Sequence, residues 1–540
     1  DPLLGYSLAQ PIVQGIQGNH VLAVAKHWVL NNQETDRSSV DAVVDERTRH
    51  ELYFPPFEGA VGAGVAAVMC SYNRVGGAWS CGNQETLRGE LKGRLGFGGF
   101  VVSDWGATHG VDSARAGLDM EQPGAKFMGE ALLAEARSGA VPEAVVDDSV
   151  RRLLQPMYQY GIFEHAGQWE NLSKRSLDVT SPAHSALARR LAAAGAVLAR
   201  NEGALPVPAA ARRIAVIGAQ ALDPTVHGGG SGAVLPTYVV SPLHAIRERA
   251  AAAGATVAYD DGSDEQRAAS VAAEADLVVV VVGDSSREGR DRPTLALPGS
   301  QDALVRAVAA AAGSRTVVAC ISPGAVLLPW AEEVSALLLL LMPGLEVGSA
   351  LADLLWGEVN PSGRLPVTMP SRDNEVNFNA AMFPGVDGRS TYSERLLVGY
   401  RWYDAHGVAP RYPFGHGLSY TRFEYHGLAI DAAALVVNCS VANAGHRAGS
   451  EVAQLYLAFP ARAASPPQQL RGFVKTRVLA PGESAEVSFR LRARDVSAYD
   501  PASREWAVVP GEFEARVGAS SRDARLVGRF RLGAAGALVV

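Results

Sequence analysis

The sequence predicts an α/β multidomain chain that changes character twice, and three observations predict it. Residues 1–165 alternate short apolar runs with helical patterns, and three of those runs end in polar residues. From Ser185 a second alternation begins, of Val- and Leu-rich runs with Ala-rich helices. From about Ala433 the pattern becomes alternating strands punctuated by Pro481-Gly482 and Pro510-Gly511. The first two patterns describe parallel sheets covered by helices, and the third an antiparallel β-sandwich of the immunoglobulin or fibronectin kind.

The chain has 540 residues, enough for several domains. Its 48% hydrophobic and 19% charged content is that of a globular protein. The net charge of −7 provides no basic footprint, so nucleic acid is not an expected partner. No apolar run approaches the roughly 18 residues needed to cross a bilayer, and no membrane partner is expected. Val278 to Val282 and Leu337 to Leu341 read instead as buried strands. Four cysteines cannot build a disulfide framework. Cys70 and Cys81 are compatible with one bridge or with two thiols, while Cys320 and Cys439 read as inert core residues. No Cys or His cluster has ligand spacing, so neither a metal nor a cofactor is expected. Asp1-Pro2-Leu3-Leu4 is neither a signal peptide nor an initiator methionine. The compartment is therefore unread: a bacterial cytoplasm and secretion both fit, and so does a homo-oligomer.

In the first region, Ile12 to Gly18 reads as the end of a helix and Val21 to Ala25 as a strand. Glu46 to Gly62 reads as a helix interrupted by Pro55-Pro56, Ala66 to Cys70 as a strand, and Gln84 to Leu95 as a helix. Phe100 to Val102 reads as a strand, Leu118 to Glu121 as a strand-like piece, and Gly129 to Arg137 as a helix. Lys26-His27 follow the first strand, Ser71-Tyr72-Asn73 the second and Ser103-Asp104-Trp105 the third. A (β/α) barrel gathers such strand ends on one face, where catalytic groups cluster. Asp104 suits catalysis there, though Asp also caps helices. The polar run from Lys26-His27 through Asn31-Asn32-Gln33-Glu34 to Arg37 suits a sugar's hydroxyls and equally a solvated loop.

Residues 165–183 read as a linker. Beyond them a helix is expected over Ala186 to Arg200, with Leu187, Leu191 and Leu198 on one side. Strands are expected at Arg213 to Gly218, Thr256 to Tyr259, Leu277 to Val282, Thr316 to Ile321 and Leu337 to Leu341, with helices around Gln266 to Ala273 and Gln301 to Ala312. Gly228-Gly229-Gly230-Ser231-Gly232 lacks phosphate-loop spacing and reads as a turn that can line a site. Glu288, in the charged loop after strand 277–282, is a candidate carboxylate, with a solvated loop the plainer reading. Residues 371–432 carry many aromatics, including Tyr392, Tyr400, Trp402 and Tyr420, and read as a long packed connection. The closing strands are expected at Leu435 to Val441, Glu451 to Ala458, Ala485 to Leu491 and Phe513 to Val517.

Several stretches together resemble glycoside hydrolase family 3, the β-glucosidase and β-xylosidase group. They include Lys26-His27 with Asn31-Asn32-Gln33-Glu34, Val68-Met69-Cys70-Ser71-Tyr72-Asn73 and Gly96-Phe97-Gly98-Gly99-Phe100-Val101-Val102-Ser103-Asp104-Trp105. Gly117-Leu118-Asp119-Met120, Glu288-Gly289 with Asp291-Arg292, and Leu297-Pro298-Gly299 follow in order. Asn360 to Pro366, Val398 to Tyr403 and Pro413 to Tyr420 complete the set. The resemblance implies an incomplete (β/α) TIM-like barrel over 1–165, a linker over 166–184 and a three-layer α/β sandwich over 185–370. It also implies an aromatic-rich connection over 371–432 and a fibronectin III-like β-sandwich over 433–540. Further barrel segments would precede Asp1, among them an Asp-Gly loop that grips sugar hydroxyls.

The implied activity is exo-acting, retaining hydrolysis of β-glucosides or oligosaccharides, releasing terminal β-D-glucose. β-Xylosidase or α-arabinosidase activity is the enzymatic alternative, and a truncated, inactive carbohydrate-binding member is the non-enzymatic one. Asp104 is implied as the nucleophile and Glu288 as the general acid/base, with Glu394 as the rival. Lys26, His27, Arg37, Met69, Tyr72 and Trp105 are implied around the sugar. Lys26 and the Tyr72 phenol would favour the Asp104 carboxylate. Members acting on N-acetylhexosamines carry Lys-His-Phe-Pro-Gly-His; here Lys26-His27 leads into Trp28-Val29-Leu30, which disfavours that activity.

Overall fold

Short fully apolar runs become central strands because both of their faces are covered. In the computed structural model, which describes residues 1–168 and 177–533, this holds for the strand Ala67–Cys70 of the first region, which lies in the middle of its sheet. Six short strands open the chain: β1 (Val24–Trp28), β2 (Asp41–Val43), β3 (Ala67–Cys70), β4 (Arg74–Val75), β5 (Ala78–Trp79) and β6 (Phe100–Ser103). All residues of β3 and β6 are buried. β1, β3 and β6 form a parallel sheet in that order, with Lys26 opposite Met69, and Met69 opposite Val102. The chain divides into two compact units, the first comprising Asp1–Leu177, Phe378–Leu396 and Tyr499–Ala507.

Several expectations for the first unit are corrected. β1 starts at Val24, not Val21, because pairing runs through the backbone of Lys26 and Trp28, while Val21 is exposed. The opening helix spans Pro2–Gln17, started by the Asp1 carboxylate capping the Leu3 and Leu4 amides. The helical stretch from Glu46 has three pieces: an α-turn Glu46–Thr48, a π-turn Arg49–Tyr53 and an α-helix Pro55–Gly62. Glu85–Arg94 is π-helical rather than α. Thr86, Leu87, Glu90 and Leu91 form its buried face. Around Leu118 to Glu121 only Met120 bridges to Val102, and no regular strand forms. The expected linker falls partly on residues 169–176, which lie outside the described residues.

The second unit holds β7 (Val197–Asn201), β8 (Arg213–Ile217), β9 (Thr256–Asp260), β10 (Leu277–Gly283), β11 (Thr316–Ile321) and β12 (Ala336–Leu340). The sheet order is β7-β12-β11-β10-β8-β9, parallel except for the edge strand β7. The helix expected over Ala186 to Arg200 is instead a helix, Pro182–Gly195, followed by β7. Leu198 is completely buried in that strand, whereas Leu187 and Leu191 are exposed. Two helices not anticipated, Pro242–Ala252 and Val347–Trp356, pack together against the sheet core. Strand order reverses between β8 and β10, and a 390 Å³ cleft opens beyond their carboxyl ends, lined by Gly218, Gln220 and Asp284 among others. Such reversals are where open α/β sheets leave a crevice.

The chain then re-enters the first unit, where β13 (Arg389–Thr391) pairs with β2 at the edge of a second sheet, ordered β13-β2-β4-β5. The all-β region starts at Phe423, ahead of residue 433. Its strands are β14 (Phe423–Asp431), β15 (Val436–Asn443), β16 (Val452–Ala458), β17 (Gln469–Lys475), β18 (Ser484–Arg490), β19 (Ser497–Asp500), β20 (Glu505–Val508), β21 (Gly511–Ser520) and β22 (Asp523–Leu532). Sheets β14-β15-β18 and β17-β16-β21-β22 share one core around Val441, Leu455 and Phe513. β19 and β20 form a separate two-stranded ribbon. Among the described residues no helix is long and apolar enough to cross a membrane.

Candidate active site

The site in the first unit grows from the carboxyl ends of β1, β3 and β6. Gly99 lets β6 approach β3: a Cβ there would sit 2.1 Å from the Ala66 carbonyl oxygen. β6 ends at Ser103, and the Asp104 amide then donates to the Cys70 carbonyl at 3.2 Å. Cys70 is bonded to Cys81 in a disulfide, which decides the pairing the sequence left open. β1 bulges between Lys26 and Trp28, and a bulge re-aims the side chain at its apex. That side chain is His27, whose Nε2 lies 3.1 Å from Asp104 Oδ2.

Asp104 is 6% exposed. Burial alone pushes its carboxyl up. The bond from His27, the Trp105 amide at 2.8 Å from Oδ1, the Tyr72 hydroxyl and the His27 charge outweigh burial, and the carboxyl is held below the usual range. Asp104 is therefore an anion at neutral pH with an apolar strand behind it. The Tyr72 hydroxyl also contacts the Trp105 carbonyl oxygen at 3.2 Å, and the Arg37 guanidinium sits 4.7 Å above the Tyr72 ring. Arg37 Nη1 donates to Glu34 at 2.9 Å. Trp105 is 54% exposed, so a flat indole face stands open beside the carboxylate. Lys26 is exposed and Met69 buried in register with it. The structure thus gathers Lys26, His27, Met69, Tyr72, Asp104 and Trp105 on one set of strand ends, with Arg37 over Tyr72.

Glu288 belongs to the second unit, in the loop after β10. Its amide donates to the Gly229 carbonyl at 3.1 Å, and its Oε2 accepts from the Ser231 amide at 2.7 Å. The glycine turn and the Glu288 loop pack so closely that a Cβ on Gly230 would lie 2.3 Å from the Glu288 Cβ. The expectation that this turn lines a site gains a partner. A neighbouring 630 Å³ cleft is lined by His227, Gly229, Arg287 and Arg292, with Arg292 paired to Asp284 at 2.8 Å. Glu394 lies in the first unit, where burial holds its carboxyl above the ordinary range.

Two supports lie outside the site residues that the sequence picked out. Asp119 is buried and accepts from the Val101 amide at 2.8 Å, Lys92 Nζ at 2.8 Å and Ser149 Oγ at 3.0 Å, fixing β6 from behind. Glu46, His50 and Glu90 bring three potential ligand atoms together, but Arg504 reaches both carboxylates and Arg94 also pairs with Glu90, so the cluster is an ion-pair network.

Comparison with known proteins gives matches along nearly the whole chain. Residues 1–155 match the glycosyl hydrolase family 3 N-terminal domain, 196–420 the family's C-terminal domain, and 451–521 the fibronectin type III-like domain. A probable β-glucosidase L of Emericella nidulans is 39% identical, over 98% of this chain and 80% of its own length. The thermostable β-glucosidase B of Acetivibrio thermocellus is 37% identical, over 97% of this chain and 71% of its own. The crystal structure of DesR, a β-glucosidase from Streptomyces venezuelae in complex with D-glucose, superposes with a TM-score of 0.91 at 33% identity, covering 98% of this chain and 84% of that one. With both of its domain models matched in order and these similarities spanning almost every residue, the chain belongs to glycosyl hydrolase family 3.

Proposed function

We infer that this chain is an exo-acting retaining β-glucosidase, releasing terminal β-D-glucose by double displacement. The observation that carries the reading is Asp104: a buried strand-end carboxylate held ionised by His27, Trp105 and Tyr72, beside an open indole face. The relatives named β-glucosidases support the reaction and the sugar.

In this mechanism the Asp104 carboxylate attacks C1 while an acid protonates the departing oxygen. The same group then takes a proton from water as the glycosyl ester is hydrolysed. Glu288 is the proposed acid/base, and retention requires the two carboxyl groups roughly 5 Å apart across the scissile bond. His27 and Lys26 are proposed to bind ring hydroxyls, and Trp105 to face the pyranose.

The test is hydrolysis of aryl β-glucoside and aryl β-xyloside by the wild type and by Asp104→Ala, Glu288→Ala and Glu394→Ala. The glucoside is the better substrate, and Asp104→Ala abolishes turnover. Glu288→Ala loses about 10²–10⁴-fold in kcat, the usual share of acid–base catalysis, and azide restores part of it. Undiminished turnover in Asp104→Ala overturns the nucleophile. A large, azide-rescued loss in Glu394→Ala with none in Glu288→Ala moves the acid/base role to Glu394. Glucose binding without any hydrolysis by the wild type overturns the enzymatic reading.

A further inference from the structure

The ribbon β19–β20 is divided between the two units. Its roots, Val496 and Val509, belong to the β-sandwich core, while Tyr499 to Ala507 count with the first unit. Within β19 the Tyr499 ring stacks on His50, centroids 3.8 Å apart and planes 11° from parallel. His50 meets Phe54 edge-on at 4.8 Å, and Phe54 stacks on Trp28 at 4.7 Å. All four rings are buried, and Phe54 and Trp28 have no exposed surface. Trp28 directly follows His27, whose ring touches Asp104. Polar bonds fix the outer end of this stack. The Tyr499 amide donates to Glu51 at 3.0 Å, its hydroxyl to Glu46 at 2.9 Å, and Arg504 reaches Glu46 at 2.8 Å and Glu90 at 3.1 Å. The inner end is fixed too. The Trp28 indole donates to the Thr86 carbonyl at 3.1 Å, and its own carbonyl accepts from the Ser71 amide and the Ser80 hydroxyl.

We propose that Tyr499 is a positioning residue: through the ring stack Tyr499–His50–Phe54–Trp28 it sets the end of β1 and hence where His27 stands against Asp104. Close-packed rings transmit displacement because the interior has no slack to absorb it. A small misplacement of a catalytic group costs rate far out of proportion to its size. Tyr499 touches no reacting atom in this arrangement. The kinetic part of the proposal rests on the glucosidase reading; the structural part does not.

The test compares Tyr499→Ala, Tyr499→Leu and Tyr499→Phe in the full chain. It measures kcat and KM on an aryl β-glucoside, thermal midpoint, and the imidazole resonance of His27 in protein labelled with ¹⁵N-histidine, assigned by its loss in His27→Ala. Tyr499→Ala lowers kcat about tenfold with a smaller change in KM and moves the His27 resonance. Tyr499→Phe, which keeps the stacked ring, restores both. Tyr499→Leu fills the volume without a ring and carries the same test should the alanine variant fail to fold. A folded Tyr499→Ala or Tyr499→Leu with an unmoved His27 resonance overturns the proposal, whatever its kcat or thermal midpoint. If the wild type shows no turnover, the glucosidase reading fails and the His27 resonance alone decides the relay.

Discussion

Asp104 keeps its charge against burial through donors that differ in kind: an imidazole, a phenol and a backbone amide. Its folded pKa lies below its unfolded one. The stability it contributes is therefore present above the unfolded value near 3.9 and is lost as pH falls through the lower folded value. Removing a donor leaves burial, which acts upward. In Tyr72→Phe, which keeps the ring beneath Arg37, and more strongly in His27→Ala, the acidic limb of the kcat/KM profile moves to higher pH. A profile measured from pH 3 to 7 on an aryl glucoside checks the direction, and an unmoved limb refutes the role of these donors. A carboxylate ending an apolar run was legible in the sequence, as was the His after another. The Trp105 amide was not, because every residue offers one and only the turn after Ser103 aims it.

At the scale of elements, β6 is held by a side chain that follows it. Asp119 takes the Val101 amide and is neutralised by Lys92, both side chains almost entirely buried. Burial pushes Asp119 up and Lys92 down, each away from its charged form, yet at 2.8 Å their attraction and the added bonds from Val101 and Ser149 keep them an ion pair. Lys92→Ala leaves a buried carboxylate alone and costs about 3–5 kcal/mol, read as a fall in the denaturant midpoint. Little or no change would show the pair to be dispensable. Apolar β3, β6 and β10 were legible to within a residue because burial on both faces writes itself into composition. β1 was displaced because Val21 and Val24 are exposed and its pairing runs on through Lys26 to Trp28, past a bulge at His27. The helix expected through Arg200 ends at Gly195 because Val197 and Leu198 gain more as a buried edge strand than in continuing an Ala-rich helix that exposes Leu191.

Over the whole molecule, distant runs that looked like separate signatures meet as structure. Asn360 Oδ1 accepts from the Ser419 hydroxyl and the Tyr420 amide, and the Leu365 amide donates to the His416 carbonyl. Arg364 in the same run pairs with Glu451, just before β16 of the β-sandwich, both side chains buried. Arg364→Ala strands Glu451 and costs about 3–5 kcal/mol. Calorimetry of the full chain shows this as a lowered transition, and an unchanged thermogram refutes it. The change from strand–helix alternation to alternating strands was legible because the two patterns differ in period. The ribbon's contact with Glu51 was not, because Tyr499 and Glu51 are 448 residues apart and nothing local marks either as half of a contact.

The bridge between Cys70 and Cys81 gives the site a dependence unrelated to sugars. Cys70 supplies a sulfur to the bridge and, through its carbonyl, the acceptor for the Asp104 amide. The proposed nucleophile is thus one hydrogen bond away from a disulfide-bonded residue. Both cysteines are fully buried, so the bridge is a covalent tie inside the core between the Cys81 turn and the strand whose end holds the Asp104 backbone.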